Sequence, residues 1–249
     1  MNDCIIYSHS SYIDILRVQT DYIHKKNYFN LTLFINSNCI LPTDITSKFD
    51  KIFFYEESLT YPSRILQCLH KYDKEVFLFI HDIDILLEMD NNIMSKMYNI
   101  MLDSEIDRID LKQTEKNISN ENIIVNDELL LVKQTNPNNY IYNVNPSIWK
   151  KKSFSEILSR FSNRTYRNIE MIDVQNYCTK YNIYKLYSYL EKKCGYFNCS
   201  VFFVFLHISH SGKLLELNDS FTTMYNQSYY DVKNEFINIK QNYKLQIIN

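Results

Sequence analysis

Apolar and polar positions fall along this chain in blocks whose periods predict alternating strands and helices. The sharpest block is residues 76–81, Val-Phe-Leu-Phe-Ile-His, set between Glu75 and the carboxylates Asp82 and Asp84. An apolar run without alternation is what a parallel strand covered on both faces requires, so this segment predicts a central strand ending at the carboxyl edge of a sheet. Upstream, residues 3–7, 31–35 and 51–55 predict three more strands. Residues 12–24 place Ile13, Leu16, Val18, Tyr22 and Ile23 on one side of a helix, and residues 63–70 predict another. Strand, helix, strand, strand, helix, strand is the order of a doubly wound half-sheet with crossovers on both faces.

Beyond Asp84 the pattern predicts a short loop, a helix over residues 92–102 and, from the alternation at 106–111, a half-exposed strand. Residues 114–121 are polar and read as mobile. Residues 129–133 and 140–144 flank Gln134-Thr135-Asn136-Pro137-Asn138-Asn139, a connector of hairpin type. Then follow a turn at Asn145-Pro146-Ser147-Ile148-Trp149, helices over 154–161 and 168–181, and an apolar strand over 200–206 trailed by His207 and His210. The expected fold is α/β: a Rossmann-type central mixed sheet flanked by helices, with an antiparallel hairpin in the second half.

Composition narrows the class of protein. At 249 residues and 45% hydrophobic the chain can bury one large core, and residues 1–249 read as one domain. Lys and Arg total 27 against 29 Asp and Glu, with neither half strongly cationic, so the footprint of a nucleic-acid-binding protein is missing. Alanine is absent and glycine occurs twice, so helices must be recognised by periodicity more than by propensity. No segment approaches the ~18 uncharged apolar residues of a membrane span and the N-terminus has no secretory pattern, from which a soluble, cytoplasmic chain is expected. Cysteines at 4, 39, 68, 178, 194 and 199 follow no framework spacing and predict buried thiols.

Candidate chemistry gathers at the strand ends. Asp82 and Asp84, at i and i+2, can share one divalent cation whose remaining ligands are phosphate and water, although the same residue types also end strands and start turns. His81 could be a third ligand or a hydrogen-bonded structural residue. Ser8-His9-Ser10-Ser11 follows the first strand, where serines cap a helix or offer hydroxyls to a nucleotide. There is no Gly-x-Gly-x-x-Gly, which disfavours an ordinary dinucleotide turn. Arg64, near a helix start, either reaches a phosphate or stays in solvent. Trp149, the single tryptophan, is by size a core residue or a platform for a ligand. Glu170 and Asp173 lie one turn apart on the expected 168–181 helix. His207 and His210 have the i, i+3 spacing of metal ligands but no fixed partners.

The order of these blocks resembles a GT-A type glycosyltransferase, most similar to the small enzymes of large DNA viruses and of bacterial surface-polysaccharide clusters. The resemblance spans about residues 3–213 and is carried by Phe77-Leu78-Phe79-Ile80-His81-Asp82-Ile83-Asp84 and Asn143-Val144-Asn145-Pro146-Ser147-Ile148-Trp149-Lys150. It implies a nucleotide-sugar-binding half at residues 1–112 and an acceptor-side half with a C-terminal tail at 113–249. It implies Mn²⁺ or Mg²⁺ at Asp84 with Asp82 on the ribose or a metal-bound water. Ser8, His9 and Ser10 would line the nucleoside pocket and Arg64 would face the donor. The Pro146–Trp149 turn would approach the sugar, and Glu170 or Asp173 would be the base. Donor and acceptor would be a UDP- or GDP-sugar and a glycan or glycoprotein, in the host cytoplasm if the protein is viral. A catalytically degenerate nucleotide- or glycan-binding protein on the same fold is the alternative. A metal phosphohydrolase is a further one, and it would need more His and Asp ligands than the His81-Asp82 pair.

Overall fold

A computed structural model describes residues 2–113, 121–188, 202–210, 213–214, 232–243 and 245. Its centre is a nine-stranded mixed sheet. In chain order the first elements are β1 (Asn2–Tyr7), α1 (Ile13–Lys25), β2 (Phe29–Asn36), α2 (Thr43–Thr46), β3 (Lys51–Tyr55), α3 (Tyr61–Leu69) and β4 (Val76–His81). Next come β5 (Asp84–Met89), α4 (Asn91–Asp103), β6 (Arg108–Gln113), β7 (Ile123–Asn126), β8 (Leu129–Lys133), β9 (Ser147–Lys150), α5 (Lys151–Arg160), α6 (Ile172–Cys178) and β10 (Ile183–Ser188). Described residues of the tail add β11 (Phe203–His207), the short pair β12 (Ser209–His210) and β13 (Lys213–Leu214), and α7 (Val232–Tyr243).

The sheet order is β3-β2-β1-β4-β9-β6-β10-β8-β7. The first four strands are parallel, β9 runs antiparallel to both β4 and β6, and β8 is antiparallel to β10 and β7. The chain steps outward from β1 to β2 to β3 and then returns to place β4 on the other side of β1. The carboxyl ends of β1 and β4 thus form the switch point at which open α/β sheets leave a crevice.

Period-2 alternation sorts each central strand between two cores. Cys4, Ile6, Leu78 and Ile80 pack with Leu16 of α1 and Met94, Met97 and Met101 of α4. Ile5, Tyr7, Phe77 and Phe79 face Ile65 and Leu69 of α3 and Phe154, Ile157 and Leu158 of α5. Both faces being covered is why the 76–81 run is uniformly apolar. In α1 the buried stripe is Ile15, Leu16, Val18, Gln19, Thr20 and Ile23, with Ile13 and Tyr22 only half-buried.

Five expectations need correcting. The loop expected after Asp84 is strand β5, whose partner β11 lies far away in sequence, so no local signal marks the pair. Residues 106–111 are not half-exposed: β6 runs between β9 and β10, with Arg108 and Asp110 fully buried. The partner of β8 is β7, joined through a turn in which Asn126 Oδ1 accepts from the Glu128 N–H at 3.0 Å. Residues 140–144 form no strand; side chains take the place of a ladder, with Gln175 bonded to both the N–H and the C=O of Tyr142 at 2.8 Å. Finally, Ser147–Lys150 is not a turn but β9, and this puts Trp149 in the core.

Trp149 is 2% exposed and stacks on Phe154 with ring centroids 4.6 Å apart, so the platform role is excluded. Trp149→Phe should cost ~1–3 kcal/mol in chemical denaturation and leave turnover per folded molecule unchanged. The thiols of Cys4, Cys68 and Cys178 are free and buried, as expected, while Cys194 and Cys199 and residues 114–120 lie outside the described residues.

Candidate functional site

The β1–β4 switch point opens into a cleft of about 430 Å³. Its floor comes from the two strand ends: Tyr7 pairs with His81 in register, and the Asp82 N–H donates to the Tyr7 carbonyl at 3.0 Å. The loop after β1 holds its shape without glycine. The Ser8 N–H donates to the Phe34 carbonyl at 2.9 Å, and Tyr55 Oη donates to the Ser8 carbonyl at 2.7 Å. Asn36, ending β2, accepts from the Ser10 N–H at 2.8 Å and donates to Ser10 Oγ at 2.9 Å.

Ser8, His9, Arg64 and Asp82, four of the residues expected to bind the donor, line this cleft; Ser10 is not among the lining residues and is tied to Asn36. The serines do not cap α1: His9 is the cap of the intervening 3-10 turn, its Nδ1 accepting from the Ser11 N–H at 3.1 Å. His9 Nε2 also lies 2.9 Å from Glu57 Oε1. Arg64 is organised against the wall, donating to the Leu59 carbonyl at 2.8 Å and to the Glu57 carbonyl, with its guanidinium 5.6 Å from the Tyr55 ring. Tyr12, Tyr61, Tyr166 and Arg167, which the sequence did not single out, complete the lining. They come from three separate segments, and only the fold brings them together.

Asp82 occupies the turn between β4 and β5. It accepts from Ser8 Oγ at 2.5 Å, yet burial outweighs that bond and pushes its carboxyl up to about 7. Burial also pushes His81 down to about 4, and its Nε2 lies 2.9 Å from Tyr61 Oη, so at neutral pH it is an uncharged structural partner and not a cation. Asp84 begins β5 just beyond the turn, and its Oδ1 lies 2.7 Å from His207 Nδ1 across the β5–β11 pair. Tyr166, edge-on to both His81 and Tyr61, is held above the phenol range by desolvation and then by the charges of Asp84, Glu170 and Asp82.

The raised Asp82 value makes a stability prediction. A folded pKa above the ordinary carboxyl value of 3.8 means that ionisation costs stability as pH rises from about 4 to 7. Asp82→Asn, which stays neutral, should therefore melt above wild type at pH 8 in EDTA, with the difference vanishing near pH 4.

A second cleft of about 420 Å³ adjoins the first, and Arg167 lines both. Glu170 is in its wall, with Oε1 accepting from the Val144 N–H at 2.7 Å. The single 168–181 helix expected for Glu170 and Asp173 is not formed. Glu170 sits in a turn before α6, while Asp173 is in the first turn of α6, exposed and paired with Arg164. They share no helical face. Asp107 and Asp110 also have structural work: Asp107 accepts from Ser153 Oγ and the Asn182 N–H, and Asp110 accepts from Asn143 Nδ2 at 2.6 Å.

Among the described residues no three His, Cys, Asp or Glu side chains gather as a metal site. Likewise no helix among them is long and apolar enough to cross a membrane.

No family model matches the sequence, and no curated protein matches it. Among solved structures, the chain is similar to the 4-diphosphocytidyl-2C-methyl-D-erythritolsynthase of Anaerococcus prevotii at 13% identity and TM-score 0.45, over 76% of this chain and 90% of that one. It is similar to TarS 1-349 of S. aureus at 12% identity and TM-score 0.46, over 74% and 60% of the two chains. A UDP-glucose pyrophosphorylase matches at 11% identity and TM-score 0.47, over 76% and 91%.

Proposed function

We propose that the protein is a divalent-metal-dependent glycosyltransferase that moves a sugar from a UDP- or GDP-sugar to a hydroxyl of a glycan or protein. The observation that carries this reading is the meeting of Asp82, Ser8, His9 and Arg64 at the β1–β4 switch point, beside a second cleft that holds Glu170.

The donor set suits a hard cation. Asp84 has a carboxylate oxygen beyond the one facing His207, Asp82 is two residues away, and the diphosphate and water would supply the remaining ligands. Such a cation would offset the charge that builds on the leaving diphosphate. Asp82, neutral for part of the time near pH 7 and bonded to Ser8, is better suited to the ribose or to a water than to sole charge of the metal. Arg64, already anchored to two backbone carbonyls, can face a phosphate with little further ordering cost. Glu170 is the candidate base for the acceptor hydroxyl, because it lines the adjoining cleft and Asp173 is not among that cleft's lining residues.

The test is a thermal-shift screen of UDP- and GDP-sugars with and without Mn²⁺. A nucleotide sugar at ~100 times its Kd should stabilise by ~2.7 kcal/mol, raising Tm by ~5–10 °C, and more so with Mn²⁺. Asp84→Ala should bind the nucleotide ~10–100-fold more weakly in calorimetry with Mn²⁺ while keeping its fold. Equal affinity in wild type and variant would remove Asp84 as a ligand. Stabilisation indifferent to Mn²⁺ would favour a degenerate binding protein on the same fold, and no stabilisation by any nucleotide would end the transferase reading.

A further inference from the structure

We propose that the second cleft seats a carbohydrate ring, with the exposed side chain of Tyr140 as the platform on which the ring stacks. The inference rests on the transferase reading for why a sugar should come to lie there, and it names the acceptor of that reaction as a glycan.

The backbone at Tyr140 is the first ground. Tyr140 closes the 3-10 turn Pro137–Asn139 in the left-handed region, φ 49° and ψ 64°. Glycine and asparagine adopt that conformation cheaply, and a bulky aromatic residue does not. The turn contains asparagines at 136 and 138, with Asn136 Oδ1 accepting from the Asn138 N–H at 3.0 Å, yet the left-handed position holds tyrosine. Strain of this kind persists where the surroundings enforce it, and here it turns an aromatic side chain out of the core to 59% exposure on a cleft wall.

The lining is the second ground. Met171 and Ile172, at 48% and 53% exposure, stand with Tyr140 around the same cleft, concentrating large exposed apolar side chains that single-residue scatter would spread over the surface. The same lining carries planar polar groups: the amide of Asn138, the guanidinium of Arg167 and the carboxylate of Glu170. Exposed apolar side chains and planar hydrogen-bonding groups in one lining match a pyranose, whose C–H faces pack on an aromatic ring while its hydroxyl rim pairs with amides and carboxylates. The floor is rigid, since the Gln175 amide bonds the Tyr142 and Glu170 carbonyls at 2.8 and 2.9 Å and Gln175 Oε1 accepts from the Tyr142 N–H. Arg167, shared with the first cleft, places the seated ring next to the donor.

The experiment titrates a panel of methyl glycosides of glucose, galactose, mannose and N-acetylglucosamine against the full chain by saturation-transfer NMR. Wild type, Tyr140→Phe, Tyr140→Ala and Tyr140→Gly are compared, and binding of UDP and GDP with Mn²⁺ is measured on the same samples. At least one glycoside should bind wild type, hold within threefold on Tyr140→Phe, and weaken at least tenfold on Tyr140→Ala and Tyr140→Gly. Tyr140→Gly relieves the left-handed backbone and should melt no lower than wild type, so its loss of glycoside binding cannot be ascribed to unfolding. Failure of every glycoside to bind wild type, or undiminished binding to the alanine and glycine variants, overturns the inference. If a nucleotide binds and no glycoside depends on Tyr140, this inference alone falls. If a glycoside depends on Tyr140 and neither nucleotide binds, the sugar cleft stands and the transferase reading falls.

Discussion

Glu170→Gln should lower kcat by ~10²–10⁴ and leave donor affinity unchanged, because a proton acceptor contributes only when the acceptor hydroxyl is being deprotonated. Glutamine keeps the oxygen that accepts from the Val144 N–H, so the 140–147 segment stays in place and the loss isolates the charge. Asp173→Asn is the matched control. Its carboxylate is spent on an exposed ion pair with Arg164, outside the lining of the second cleft, and kcat should stay within a few-fold of wild type. Single-turnover kinetics with saturating donor separates the two quantities. A near-native kcat in Glu170→Gln would remove Glu170 as the base and point to a reaction that retains anomeric configuration, which needs none.

Arg108→Met should destabilise the fold by ~3–5 kcal/mol in urea denaturation, the largest stability effect expected of a single side chain here. The guanidinium is fully buried at the middle of the sheet. It donates to the Ile141 carbonyl at 2.9 Å, to the Asn143 carbonyl at 3.1 Å and to Ser147 Oγ at 2.6 Å, and lies 4.8 Å from the Trp149 ring and 3.6 Å from Asp110. Methionine would fill much of the volume but remove the positive charge beside the buried Asp110 carboxylate and the donors that the Ile141 and Asn143 carbonyls accept from. Replacing both members, Arg108→Met with Asp110→Leu, should recover a large part of the loss, and a double-mutant cycle reads the coupling directly. The same residue reaches the site through structure: it fixes the 141–147 segment, that segment presents the Val144 N–H, and the Val144 N–H holds Glu170. Arg108→Met should accordingly disturb kcat more than donor binding in whatever fraction remains folded.

The parts of this protein that one sequence settled are those where a local period has a single physical reading. The uniform apolar run of β4 must be buried on both faces, and the stripe of α1 must lie on a core. Their order around β1 then forces the switch point where Ser8, His9 and Asp82 meet. The carboxylates at 82 and 84 were legible for the same reason, since an apolar strand that stops abruptly on charge marks a sheet edge.

What tertiary structure alone decided involves partners distant in sequence. β5 reads as a loop because its hydrogen-bonding partner is β11, and β6 reads as half-exposed because an Arg–Asp pair ordinarily faces water. Only the Asn143, Ser147 and Ile141 groups that converge on Arg108 make burial affordable. Residues 140–144 look like a strand by composition, but Gln175 and Arg108 satisfy their backbone groups instead of a neighbouring strand. The cleft aromatics Tyr12, Tyr61 and Tyr166 could not be told from the chain's other tyrosines, and the backbone at Tyr140 carries no sequence mark at all. Periodicity encodes which face of an element is buried; which polar side chains converge there depends on contacts between segments 33 to 123 residues apart, and these are fixed only when the sheet closes.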